Sequence, residues 1–112
     1  MGLFRKRPRP HGELIDRQLL IFAEDNAELR GQLDDALVVH RRASKADAEE
    51  SFGDVQDVAN EGRDALERIR ESFATTLPEG LADEYRVEFD RTAVERYPDF
   101  ALELDVWARD DD

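Results

Sequence analysis

A chain of 112 residues, 39% charged and 40% hydrophobic, is long enough for one modest core and too short for two. It has no cysteine, which excludes a disulfide scaffold, a thiolate zinc site and a cysteine nucleophile together. The net charge of −12 is unevenly placed: Arg5, Lys6, Arg7 and Arg9 carry +4, which leaves −16 from Pro10 onward, a body that repels nucleic-acid phosphates and anionic membranes.

The sequence divides into a basic flexible arm over 1–12, a helical domain over 13–108 and a disordered acidic tail over 109–112. In the arm, MGLFRKRPRPHG, Pro8 and Pro10 are incompatible with a helix interior. A solubilising tail is its plainest role. The functional alternative is weak contact with an anionic membrane or nucleic acid through Arg5, Lys6, Arg7 and Arg9, with Leu3 and Phe4 dipping into the lipid. Gly2 resembles a myristoylation acceptor, but Lys6 stands where that motif needs Ser or Thr. The longest apolar run, Leu19–Ala23, is far short of the roughly 20 residues of a membrane span. No secretory signal is evident either, so the expected location is cytoplasmic.

From Glu13 onward the apolar positions Ile15, Leu19, Phe22, Leu29, Leu33, Ala36 and Ala43 alternate steps of four and three, with Asn26 and His40 filling the two gaps. This is a heptad seam on one long helix. Leu19-Leu20-Ile21-Phe22-Ala23 and Ala36-Leu37-Val38-Val39 add apolar surface on further sides, so the helix should lie between two neighbours. A second seam, Phe52, Val55, Ala59, Gly62, Leu66, Ile69 and Phe73, is out of phase with the first. The phase breaks between Ala43 and Ser51, where His40-Arg41-Arg42 suits a helix end and Ser44 with Asp47 resembles a capping box. Ser51 with Asp54 is an alternative start. The pattern favours an antiparallel, coiled-coil-like hairpin over one unbroken rod from Glu13 to Thr76, which would be about 95 Å long. Arg63–Glu67, Asp64–Arg68 and Glu67–Arg70 are spaced as ion pairs on the exposed side of the second helix.

Leu77-Pro78-Glu79-Gly80 closes that helix. Leu81, Tyr85, Phe89, Ala93 and Tyr97 then recur every four residues, a short third helix ended by Pro98. Tyr85, Val87 and Phe89 would also fit a strand, but the four-residue spacing accounts for more residues. Phe100, Leu102, Leu104 and Val106 alternate with Ala101, Glu103 and Asp105, as an extended segment along the helices anchored by Trp107 would require. The fold class is thus all-α, with an extended C-terminal segment.

Catalytic chemistry has few candidates. His11 and His40 lack a Glu three residues before them, so no carboxylate-bridged dimetal site is encoded. There is no His-Glu-x-x-His, glycine-rich phosphate loop, Gly-x-Ser-x-Gly or calcium loop. The expected protein is not an enzyme, needs no cofactor or metal and takes no small-molecule substrate. It is an interaction module (an adaptor, a chaperone-like partner or a small regulator). Its seam residues Leu19, Phe22, Asn26, Leu29 and Leu33 are expected to meet a second copy in a homodimer or another protein. Asn26 pairing with Asn26 would fix the register of that dimer; a helix-boundary residue is the plainer alternative. His40 is expected to be a satisfied helix-end residue.

Overall fold

The computed structural model describes residues 9–101. They are all-α: α1 (Gly12–Asp25), α2 (Ala27–Arg42), α3 (Ala48–Ala74), α4 (Glu79–Arg96) and the single turn α5 (Pro98–Ala101), with no strand among the described residues.

The long first helix is in fact two. Asn26 leaves helical geometry (φ −117°, ψ 29°), ending α1 and starting α2. Its backbone N–H and its Nδ2 both donate to the Phe22 carbonyl, each at 3.0 Å. A short amide side chain competes for backbone groups in this way and favours helix boundaries over interiors. Asn26 is therefore a junction residue, held by its own chain.

Residues 43–47 connect α2 to α3. Ala43 is extended (ψ 142°), and Asp47 is the N-cap residue of α3, its Oδ2 accepting from Ser44 Oγ at 3.1 Å. The alternative start at Ser51 is not used: Ser51 is buried inside α3 and donates its hydroxyl to the Ala48 carbonyl. The unbroken rod is excluded, because the described residues extend only 48 Å along their longest axis.

The core gathers on the C-terminal half of α3. Ile15, Leu19 and Phe22, spaced for one face of α1, meet Leu66 and Ala74 of α3 and Tyr85, Phe89 and Ala93 of α4, with Leu33 and Phe100 completing the cluster. Phe22 touches Tyr97 and Phe100 edge-on at centroid distances of 5.2 and 5.8 Å. Phe100 closes the core at a place only glycine permits. A Cβ on Gly62 would lie 2.0 Å from the Phe100 ring, so the ring rests directly on the α3 backbone.

Two expectations change at the C-terminal end. Phe100 and Ala101 belong to a helical turn instead of an extended segment, because Phe100 N–H bonds back to Tyr97. The rest of that segment, Trp107 included, and the tail lie outside the described residues. Helix α4 forms as expected but is buried more widely than one face. Ala82, Glu88, Asp90 and Thr92 are buried beside Tyr85, Phe89 and Ala93, since α1, α3 and α5 all pack on it. Leu81, expected on the buried face, is half exposed.

Candidate interaction surface

The expected interface seam is internal. Leu19 and Phe22 are fully buried, Leu33 is nearly so, and Leu29 packs against the same cluster. The neighbours that cover them are α3, α4 and α5 of this chain, so these residues are unavailable to a second copy. The first helix does pack on α3 and α4, but Leu20 and Ile21, whose apolar side chains called for a second covered face, are 59% and 47% exposed.

The root of the arm is also folded in. Arg9 accepts a turn hydrogen bond from Gly12 N–H, and its guanidinium lies 3.0 Å from Asp16 Oδ1 and 3.9 Å from Glu88 Oε2. Asp16 also binds Arg96 at 2.6 Å, and the bond from Arg9 holds its carboxyl below the usual range. Glu88 sits at the N-terminus of α1, where it accepts from His11 N–H at 3.2 Å and its charge complements the helix dipole. Arg9 is thus paired at the N-terminus of α1, with its side chain still 40% accessible. Arg5, Lys6 and Arg7 lie outside the described residues.

The most buried charges form a network between α3 and α4. Arg70 Nη1 donates to both oxygens of Asp90, at 3.0 and 3.2 Å, and neither side chain is more than slightly accessible. Arg70 was expected on the exposed face of its helix; its position four residues after the buried Leu66 explains why it is inside. Burial pushes the Asp90 carboxyl up to about 7, outweighing the attraction of Arg70. Glu71 binds Arg86 through both oxygens and also accepts from Arg70. The Arg86 bonds lead in holding its carboxyl down at about 2. Tyr85 donates to Gln18 Oε1 at 2.7 Å, and burial raises its phenol to about 12. These groups satisfy one another and line neither of the grooves described below, so they read as a positioning network for α4. The expected Arg63–Glu67 pair is present at 3.3 Å.

The accessible feature is an open groove of about 620 Å³ at the α2–α3 connection. Val38, Val39 and Arg42 of α2 form one wall, Glu50, Ser51 and Asp54 of α3 the other, and Ala43, Ser44 and Asp47 close the end. The walls are tied by His40, whose Nδ1 lies 2.8 Å from Ser51 Oγ. The same hydroxyl lies 3.1 Å from the Ala48 carbonyl. Val39 is 59% exposed and Phe52, beside the His40 ring, 49%. One wall of the groove is thus apolar apart from Arg42, and the other is acidic. A smaller groove of about 170 Å³ lies between Arg30 and Asp34 of α2 and the Arg96–Phe100 turn. Among the described residues no group of three or more His, Asp or Glu side chains could hold a metal ion, and no helix is long and apolar enough to cross a membrane.

Sequence periodicity could not find this groove, because Val38 and Val39 fall off the seam and carry no motif. The one available signal was the apolar run Ala36–Val39, wider than a single partner helix covers. Comparison with protein-family models, curated proteins and solved structures finds no match for this chain.

Proposed function

We propose that the protein is a non-enzymatic, acidic helical interaction module whose α2–α3 pair works as an antiparallel, coiled-coil-like hairpin with its tip as the recognition surface. The observation that carries this reading is the groove at the α2–α3 connection, where exposed Val39 faces the carboxylates of Glu50 and Asp54. Exposed apolar surface rimmed by charge is the usual character of a protein-binding patch. A homodimer stays part of the proposal, with the groove in place of the buried seam as the contact. The alternative of membrane or nucleic-acid binding through the arm is weakened, since Arg9 is already paired with Asp16.

A photo-crosslinking residue at Val39, compared with one at Glu84 on the exposed side of α4, tests the proposal in the native cell. Discrete crosslinked species from position 39 and none from position 84 are expected. Equal, diffuse labelling from both would dismiss the groove as a recognition surface.

A further inference from the structure

We propose that the groove at the α2–α3 connection receives the segment Leu3-Phe4-Arg5-Lys6-Arg7 of a second copy of this chain. The inference rests on the reading of that groove as an interaction surface and names its occupant.

The first support is complementarity of pattern. A ligand of the groove needs apolar side chains for Val38 and Val39 and cationic ones for Glu50, Asp54 and Asp47, three acids against the single lining cation Arg42. Outside α2 itself, the chain clusters three cations beside two apolar residues only at residues 3–7. The rest of the chain carries a large negative excess, so a cationic segment is drawn to an acidic groove on another molecule.

The second support is reach, which rules out the segment's own groove. Arg9 is fixed at the N-terminus of α1 by Asp16 and Glu88, beside His11, whose ring packs on Tyr85. Tyr85 in turn packs on Phe73 of α3. From Phe73 back to Ser51 in the groove wall, α3 rises about 33 Å at 1.5 Å per residue. Arg5 lies four residues from Arg9, so even an extended chain carries it only about 14 Å. The cations must therefore find the groove of another copy. Two copies can exchange segments reciprocally, or a series can join head to tail.

Two full-length charge-reversed proteins make the test. One carries Glu50→Arg and Asp54→Arg in the groove; the other carries Arg5→Glu, Lys6→Glu and Arg7→Glu. In sedimentation velocity at micromolar concentration the wild type should associate, less so as salt rises. Each variant alone should associate roughly tenfold or more weakly, and an equimolar mixture should recover association because its charges are again opposite. A peptide of residues 1–10 added to the arm-reversed protein should shift the amide resonances of Val38, Val39 and Glu50. A monomeric wild type overturns the proposal, as does association that survives both reversals or a mixture that stays monomeric. Binding of the peptide to anionic vesicles or DNA with no shift at the groove overturns it too. If an unrelated cationic, apolar peptide shifts those amides and the 1–10 peptide does not, the arm is wrong and the groove reading stands. If neither peptide shifts them and position 39 gives no discrete crosslink, both fail.

Discussion

The two ends of α3 live in different surroundings. Its C-terminal half buries Gly62, Ala65, Leu66, Arg70 and Ala74 under α1, α4 and α5, with Phe22, Tyr85, Phe89 and Phe100 filling the space between. Its N-terminal half packs on α2, and Ser51 is the one buried residue of α3 there. Two helices give each other one covered face; three elements around a fourth give a core. One end therefore holds the core, and the other, with few buried residues, should open locally at lower free energy.

The comparison breaks first if the buried ion pair contributes nothing to the C-terminal half. Asp90→Ala leaves Arg70 inside the fold without its bidentate partner and should cost about 3 kcal/mol, measured by urea unfolding. The double change Arg70→Met with Asp90→Leu should return most of that loss, since an apolar pair needs no desolvation. The same network sets a pH dependence. Asp90, raised to about 7, binds its proton more tightly when folded, so its contribution is full below about pH 4 and is lost as pH rises through 7. Glu71, depressed to about 2, acts oppositely: its contribution is full above about pH 4.5 and is lost as pH falls toward 2. Melting temperature should fall between pH 4.5 and 7 in the wild type and fall less in Asp90→Asn. An identical slope in the two proteins would remove Asp90 from the explanation.

Glycine-to-alanine substitutions sharpen the comparison at smaller cost. At Gly62 a methyl group would collide with the Phe100 ring and should destabilise by about 1–3 kcal/mol. Gly31 in α2 and Gly53 in α3 have nothing within 4 Å of such a methyl. There alanine should stabilise by about 0.5–1 kcal/mol through helix propensity alone. Thermal melts of the three variants should thus move in opposite directions at the two ends. A loss at Gly31 or Gly53 would mean that the thin end is packed as tightly as the core.

The helical content and the break between Ala43 and Ser51 were legible because period and phase are properties of sequence alone. The phase break only disfavoured the rod, which the 48 Å extent of the described residues excludes, and α4 was placed from Tyr85, Phe89 and Ala93. What escaped was which neighbour covers which face. Leu19 and Phe22 read as an outward seam because nothing local announces that Phe100, 78 residues beyond Phe22, comes back to cover it. Arg70 looked like a surface partner of Glu67 because a buried charge is legible only with its distant partner in view. Val39 carried no motif at all. It stays 59% exposed, and no periodicity encodes that.

The smallest expected effect concerns the joint between the two regions. Asn26→Ala removes the Nδ2 bond to the Phe22 carbonyl, worth about 1 kcal/mol. It also inserts a residue that favours helix by roughly 0.6 kcal/mol, so the net change should stay within about 0.5 kcal/mol. The informative readout is shape. If local sequence imposes the break, alanine should let α1 and α2 join, and spin labels at Arg17 and Arg41 should separate to about 36 Å, the span of a straight helix. If packing imposes it, with α1 bound to α4 and α2 to α3, the labels should stay closer than that in both proteins. The buried contacts of Ile15, Leu19 and Phe22 outweigh a single amide hydrogen bond several-fold, at about 1.5–3 kcal/mol each. The unchanged, shorter distance is therefore expected, and lengthening would show that Asn26 alone separates the two ends of the molecule.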